Sequence, residues 1–318
     1  MIEQSVLEEV LGVALRTGGE FAEVFAEDRR NSSAVLDDGR VEELTSGRDR
    51  GAGIRVVVGD TTGFAHTADL SEPGLIAAAE AAAAAARGGG GGTNVVALER
   101  RSASRGYAVQ TDPGEVPKAR KVELLGRADD VARSVGDAIS QVSVVYSDSR
   151  RGILVANSDG LFVEDDTVRT FFAVSCVATG DTGMQTGREA IGHTIGFELF
   201  DMYDIDQLAR NAADRALTKL AARPAPSGQM PVVIGSGGGG VLFHEACGHG
   251  LEADLVAKGA SVFRGRVGQQ VASKGVTVVD DGTMQREWGN IAIDDEGNPA
   301  QRNVLIDDGV LTDYMWDH

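Results

Sequence analysis

Five acidic or asparagine-rich turns that end in glycine recur along this 318-residue chain. They lie at residues 37–39, 157–160, 280–282, 294–297 and 307–309. Because Asn, Asp and Gly tolerate the positive φ angles of tight turns, such turns join antiparallel strands as hairpins. A regular alternation of strands and helices would instead give a parallel sheet. The turns therefore predict an α+β fold, in which helices pack with mainly antiparallel sheets.

Strand and helix patterns occupy the segments between these turns. β-rich segments separated by polar turns predict strands at 21–25, 54–58, 141–146, 152–156, 161–164 and 168–178. Apolar residues at helical spacing predict helices at 4–17, 71–86, 116–135 and 205–221. Two strand–turn–strand stretches, 35–58 and 144–178, weakly resemble each other.

Glycine- and proline-rich stretches indicate where the chain is divided. Five consecutive glycines at 88–92 predict a flexible spacer. The Pro-Ala-Pro-Ser-Gly stretch at 224–228 is the strongest linker signal. We therefore expect an N-terminal α+β domain at 1–225 and a second domain at 226–318. The second domain is predicted to begin with a strand, a glycine loop and a helix, and to be incomplete.

Charge and composition exclude several classes of protein. The net charge of −18 disfavours binding to nucleic acid or to an anionic membrane. No run of about 18 apolar residues occurs, and the first residues lack the basic and apolar regions of a signal peptide. Two cysteines, Cys176 and Cys247, do not form a disulfide framework. These features predict a cytoplasmic protein that binds neither nucleic acid nor membranes.

The segment from His244 to His249 has the pattern His-Glu-x-x-x-His. Neutral imidazole nitrogens bind zinc, and a carboxylate beside a zinc ligand can act as a general base towards water at the metal. His244 and His249 are therefore candidate metal ligands, and Glu245 is the candidate catalytic base. The bland alternative is that the histidines are structural and that Glu245 is a helix-terminal acid favoured by the dipole.

The spacing within this motif requires a distorted helix. Residues five apart on an ideal α-helix differ by about 140°, so their side chains diverge. His244 and His249 can share one ion only if a π-bulge or a local break lies between them. Gly248 and Gly250 flank the second histidine and permit such a distortion at low steric cost.

The motif continues as Gly250-Leu251-Glu252, and three acidic phrases follow it. They are Val-Thr-Val-Val-Asp-Asp-Gly at 276–282, Asp-Asp-Glu-Gly-Asn-Pro at 294–299 and Leu-Ile-Asp-Asp-Gly-Val-Leu at 305–311. Together the motif and these phrases resemble the TldD/PmbA metallopeptidases, specifically the TldD-type catalytic subunit. The resemblance is sharp over 231–318, and only the rhythm of strands and helices fits in the N-terminal half.

This resemblance implies a zinc-dependent peptidase that acts on unfolded or small peptides. It also implies a heterodimer with a related PmbA/TldE-type subunit that lacks the motif. On the family pattern, Zn²⁺ is held by His244 and His249, and Glu245 is the base. The family's third ligand is a cysteine well over a hundred residues past the helix. Because this chain ends at His318, we expect it to be C-terminally truncated, with an incomplete zinc site.

Residues around the motif have assignments that the sequence leaves open. Glu252 is either a carboxylate that holds the imidazole of His249 or a solvated acid at the helix end. Cys247 is a ligand, a nucleophile or, as we favour, a small buried hydrophobe. Gly237 and Gly238 would let the substrate backbone approach the metal. The substrate is expected to add as a strand to a sheet edge.

Two other functions remain open. The first is a non-catalytic metal-binding or scaffold subunit of a peptidase complex. The second is a nucleotide-binding oxidoreductase, because the glycine loop at 235–240 follows a predicted strand at 231–234 and matches G-x-G-x-x-G. Five glycines among six residues match many glycine patterns by chance, so we favour metal-dependent peptide hydrolysis.

Overall fold

The computed structural model describes residues 2–86, 94–103, 107–181 and 183–317. The glycine spacer predicted at 88–92 lies outside these residues. The chain divides into two compact units, of which the first comprises Met1–Ala222 and Gln285–Pro299. The second comprises Arg223–Met284 and Ala300–His318. No sequence pattern indicated the return of 285–299 to the first unit, and the domain boundary at residue 225 stays a prediction.

The first unit is built on one long, mainly antiparallel sheet. Seven of the described strands form it in the order β3-β2-β1-β5-β6-β4, with β7 also paired to β6. Each pairing is antiparallel except that between β4 and β6. This arrangement confirms the α+β class. The elements in chain order are α1 Gln4–Leu15, β1 Phe21–Asp37, β2 Arg40–Val58, β3 Thr61–Thr67, α2 Glu72–Ala86, β4 Glu99–Ser102, α3 Lys118–Arg133, β5 Ile139–Asn157, β6 Leu161–Gly180, β7 Gly183–His193, α4 Leu199–Met202 and α5 Ile205–Ala221.

Two of the five predicted turns have the backbone geometry of a tight hairpin. Asp38 and Gly39 join β1 to β2 with φ angles of 49° and 76°. Asp308 and Gly309 have φ angles of 46° and 84° in the second unit. Positive φ at both central residues matches the right-handed twist of paired strands, which explains the Asp-Gly sequences.

The strands β5 and β6 are longer than the sequence predicted. Polar turns were expected at 147–151 and 165–167, but both segments continue as strand. The expectation was wrong because polar side chains in these segments find partners within the fold. Arg150 bonds Asp166 across the two strands, and Lys121 of α3 bonds Asp148. Period-2 apolar patterning is lost where the sheet carries such pairs.

Helices cover one face of this sheet in two separate groups. The first apolar cluster joins α1 and α2 to residues such as Val24 and Ile54. The second joins α3 and α5 to residues such as Val144 and Phe172. None of the described helices is long and apolar enough to cross a membrane.

The segment 285–299 packs on the opposite face of the sheet. Ile293 is 4% exposed and clusters with Val155 and Val163, whose side chains point away from the helices. Ion pairs add to this contact, since Arg55 bonds Glu296 at 2.9 Å. This segment therefore covers part of the second face of the sheet.

The second unit contains short elements around a small core. They are α6 Gly238–Phe243, α7 Ala253–Ala257, β8 Val278–Asp281, β9 Arg302–Asp307 and β10 Val310–Leu311. The strands form an antiparallel sheet in the order β10-β9-β8. Leu251, Leu305 and Leu311 are the best buried side chains of its core. The strand predicted at 231–234 is wrong, because no described strand pairs with it and Val233 is 98% exposed.

Candidate metal centre

The helix that carries the His-Glu-x-x-x-His motif changes its winding at the motif. It begins as α6, becomes a π-helical turn over His244–Gly248 and ends as a 3₁₀ turn over His249–Leu251. The backbone N–H of His249 donates to the carbonyl of His244, five residues earlier. This is the loosening that the spacing of the histidines required, since the wider turn places residues five apart on one face.

The π turn brings the three motif side chains together. The rings of His244 and His249 have centroids 4.5 Å apart and planes inclined at 70°. Each of His244, Glu245 and His249 offers a ligand atom, and these atoms all lie within 4.8 Å of one another. Among the described residues this is the one such group of three that meets this criterion. All three side chains are exposed to solvent.

The donor set fits a zinc ion. Zinc prefers imidazole nitrogen and carboxylate oxygen at about 2.0–2.2 Å, so one ion bridges donor atoms about 3–4 Å apart. The separations in this group are close enough that small rotations of exposed side chains would produce that geometry. The chemistry of the donors and their grouping therefore suit the metal that the motif implies.

Glu252 contacts the second histidine directly. Its Oε1 atom lies 2.8 Å from Nδ1 of His249. In a neutral imidazole, an N–H at Nδ1 that donates to this carboxylate leaves the lone pair at Nε2. The Nε2 atom is 3.8 Å from the carboxylate of Glu245 and thus faces the motif. Of the two assignments that the sequence left open, this contact favours the carboxylate that orients the ring.

Cys247 lies within the π turn but outside the donor group. Its thiol donates to the carbonyl of Phe243 at 3.2 Å. This bond follows the helix axis, as is usual for small polar side chains that bond the preceding turn. The structure places Cys247 in neither the ligand nor the nucleophile position, and the side chain is partly exposed rather than buried.

The glycine loop precedes the motif helix and lacks the context of a dinucleotide site. The fingerprint needs a strand before the loop, and none of the described strands includes 231–234. Gly237 has a φ of 82°, which explains the need for glycine there. A Cβ atom added at Gly237 or Gly238 would meet nothing within 4 Å, so the loop is open on its outer side.

Sequence reasoning missed one buried charged group in the first unit. The Lys121 and Asp148 side chains are 3% and 7% exposed and are bonded at 2.6 Å. Tyr146 donates to the same carboxylate at 2.7 Å. Burial, first, and the charge of Asp148, second, raise the pKa of Tyr146 above its usual value. In the sequence, Lys121 lies in a predicted helix, Tyr146 in a predicted strand and Asp148 in a predicted turn. No local motif therefore indicated that they meet.

Comparison with known proteins covers nearly the whole chain. Residues 22–86, 111–220 and 227–318 match models described as PmbA/TldA metallopeptidase domain 1, central domain and C-terminal domain. The chain is 36% identical over 312 residues to a protein named Metalloprotease TldD homolog from Haemophilus influenzae, covering 94% of this chain and 63% of the relative. It is 36% identical over 298 residues to a protein named Metalloprotease from Methanothermobacter thermautotrophicus, covering 93% and 64%.

The structural comparison agrees with the sequence matches. The crystal structure of TldE from Thermococcus kodakarensis aligns with a TM-score of 0.76 at 19% identity, covering 98% of this chain and 70% of that chain. An identity this low establishes the fold alone. The chain spans about 63% of the length of the first curated relatives.

Proposed function

Because the chain belongs to the PmbA/TldD metallopeptidase family, we propose that it acts in a zinc-dependent metallopeptidase that hydrolyses unfolded or small peptides. The observation that carries this proposal is the π turn that gathers His244, Glu245 and His249. Relatives that carry the name metalloprotease support the same class of reaction.

Each motif residue has a role in the proposed reaction. His244 and His249 would hold the zinc ion, and Glu252 would orient His249 through its 2.8 Å contact. A bound zinc ion would supply Lewis acidity, which lowers the pKa of water and polarises the scissile carbonyl. Glu245 would accept the proton of the attacking water and pass it to the leaving amine. Its exposed carboxylate is free to reach both positions.

The approach to the motif suits an extended peptide backbone. The residues at 231–234 make no backbone hydrogen bond to other described residues, and Val232 and Val233 are 74% and 98% exposed. Unpaired backbone groups can accept an added strand, which reads the main chain more than the side chains. Gly237 and Gly238 would then leave room for the substrate backbone. This mode of binding requires an unfolded substrate.

We also propose a partner and a compartment. A related PmbA/TldE-type subunit without the motif would form a heterodimer with this protein, in line with the shared fold of the TldE structure. Both cysteines are free, which suits a reducing cytoplasm.

The first experiment measures bound zinc and peptide hydrolysis in the same variants of the full-length protein. Glu245→Gln is expected to retain bound zinc and to lose cleavage of reduced, carboxymethylated α-lactalbumin. His244→Ala and His249→Ala are expected to lose both. Glu80→Gln and His66→Ala, both at exposed positions of the first unit, serve as controls and should change neither. Zinc is measured by elemental analysis after dialysis, and cleavage by the appearance of new amino termini.

The outcomes separate the candidate functions. Zinc retention without hydrolysis in the parent protein and in Glu245→Gln alike would favour the scaffold alternative. Loss of zinc in Glu245→Gln would make Glu245 a ligand instead of the base. Native α-lactalbumin that is cleaved as fast as the unfolded form would contradict the proposed substrate class.

A further inference from the structure

A polar band crosses the helix-covered face of the sheet in the first unit. Alternate residues of β1 share this face, and those at its two ends belong to the two apolar clusters. Between Ala26 and Ala34 the same face carries Asp28, Arg30 and Ser32. The two helical groups thus leave the centre of the face without an apolar cover.

Three arginines lie side by side in this band. Arg30 of β1 is directly opposite Arg48 of β2 and Arg150 of β5. Neighbouring strands are about 4.8 Å apart, and like charges in directly opposed positions destabilise a sheet. Arg48 is bonded to Asp28, and Arg150 is bonded to Asp112 and Asp166. The guanidinium of Arg30 makes no hydrogen bond or ion pair with other described residues.

A cavity lies directly over the arginine row. Its volume is about 610 Å³, and its lining includes all three arginines, Ser32, Ser46 and Lys118. Its inner wall includes the buried Lys121, whose Nζ atom is 2.6 Å from Asp148 and 3.1 Å from the hydroxyl of Ser32. Lys118 donates to the hydroxyl of Ser46 at 3.3 Å. Pockets of this size hold small organic ligands.

The helix beside the cavity adds positive potential. The first turn of α3 contains no acidic residue, and the N-cap residue Pro117 makes no side-chain capping bond. Helix N-termini carry partial positive charge and usually attract acidic side chains. Here the first turn carries Lys118 and Lys121 instead. Five cations therefore line one cavity together with three carboxylates, Asp112, Glu115 and Asp148. Arg48, Lys121 and Arg150 are ion-paired, whereas Arg30 and Lys118 make no ion pair with the residues that the structure describes.

We propose that this cavity binds a small multivalent anion through phosphate or carboxylate oxygens held by Arg30. Arg48 and Arg150 flank it, and a guanidinium fork fits either oxygen group in two parallel bonds. Ser32 and Ser46 lie opposite each other, two residues from Arg30 and Arg48 on the same face, and their hydroxyls supply further donors. The net charge of −18 repels large polyanions, so the ligand is a small molecule rather than a nucleic acid.

The test compares anion binding with the stability of the unliganded protein. Tripolyphosphate and citrate are titrated by calorimetry at 150 mM NaCl into the parent protein, Arg30→Gln and Arg29→Gln. Arg29 is the matched control because it lies on the same strand with its side chain on the opposite face. Arg30→Gln is expected to weaken binding at least tenfold, and Arg29→Gln to leave it within twofold.

Thermal unfolding distinguishes a ligand site from a structural one. Without an anion, Arg30→Gln is expected to raise the melting temperature, because it removes like-charge repulsion. A structural role for Arg30 predicts the opposite sign. Lys118→Gln gives a second variant and should also weaken binding. Binding of tripolyphosphate alone assigns a phosphate ligand, and binding of citrate alone a carboxylate ligand. The proposal is overturned if neither anion binds, if Arg29→Gln weakens binding as much as Arg30→Gln does, or if Arg30→Gln lowers the melting temperature.

Discussion

Replacement of Glu252 by glutamine should weaken zinc binding without removing a ligand. Glu252 accepts from His249 at 2.8 Å, and loss of such a carboxylate typically costs 10–100-fold in metal affinity. The side chains of His249 and Glu252 are 50% and 40% exposed, so water competes for the contact. We therefore expect the lower end of the range, about tenfold or ~1.4 kcal/mol.

Asp254→Asn is the matched control for this change. It removes one negative charge two positions from Glu252, from an exposed carboxylate that pairs with Lys258 at 2.9 Å. Because exposed charges are screened by salt, its effect on zinc affinity should stay below about twofold. Competition with a chromophoric chelator at fixed pH measures both affinities. Equal effects of the two substitutions, or an unchanged affinity in Glu252→Gln, would show that the carboxylate does not orient the imidazole.

Three further predictions concern the spacing, the packing and the thiols. Insertion of one alanine after Ala246 sets the histidines six residues apart, about 240° around a helix, and should abolish zinc binding in a titration. Gly187→Ala should lower the stability measured in urea by about 3 kcal/mol, since its Cβ would lie 2.0 Å from the carbonyl of Ala212, whereas Gly126→Ala, with nothing within 4 Å, should raise it by about 0.5–1 kcal/mol. Burial raises the pKa of the Cys176 thiol to about 11 from 9.0. The buried thiol therefore contributes its full stability below pH 9, and this contribution is lost as the pH rises through 11. Urea titrations between pH 9 and 11 should show a fall in the free energy of unfolding that is absent in Cys176→Ser.

Local periodicity was enough to predict the four longer helices of the first unit, whereas the one-turn helix α4 was missed. The helix predicted at 205–221 matches α5, and that predicted at 4–17 ends two residues late relative to α1. Strand continuity was harder, because the polar residues at 147–151 hide the period of two that marks a strand. These polar residues find their partners on β1 and β6, through the register in which the three strands pair. That register depends on all three strands, so the pattern of β5 alone does not reveal it.

The two candidate sites differ in whether their residues are close in sequence or meet only through the fold. The grouping of His244, Glu245 and His249 could be predicted because the three residues are close in sequence, and their spacing required a π-bulge or a local break, of which the structure shows the first. The strand predicted at 231–234 failed because β-branched residues favour a strand only where a partner is present. The anion cavity could not be predicted, since Arg30, Arg48 and Arg150 become neighbours only through pairing of distant strands.

The repeated architecture of the first unit explains why positive charges meet at its centre. The run α1-β1-β2-β3-α2 has the same order of elements as α3-β5-β6-β7, followed by α4 and α5. Gly63 and Gly187 match in this comparison, because each lies where a Cβ atom would strike the backbone of the following helix, α2 or α5.

The first strands of the two runs, β1 and β5, pair antiparallel at the middle of the sheet. Asp28 and Arg30 in one run match Asp148 and Arg150 in the other by their spacing in the sequence. The antiparallel register places Arg30 directly opposite Arg150, so a duplicated Asp-x-Arg pattern brings like charges face to face. The acids offset only part of this repulsion, since Asp148 is bonded to Lys121 and Asp28 to Arg48. The charge of Arg30 acts on Asp28, but Arg30 makes no ion pair with the described residues. A bound anion would offset the remainder, which is why removal of Arg30 should stabilise the empty protein and weaken the liganded one.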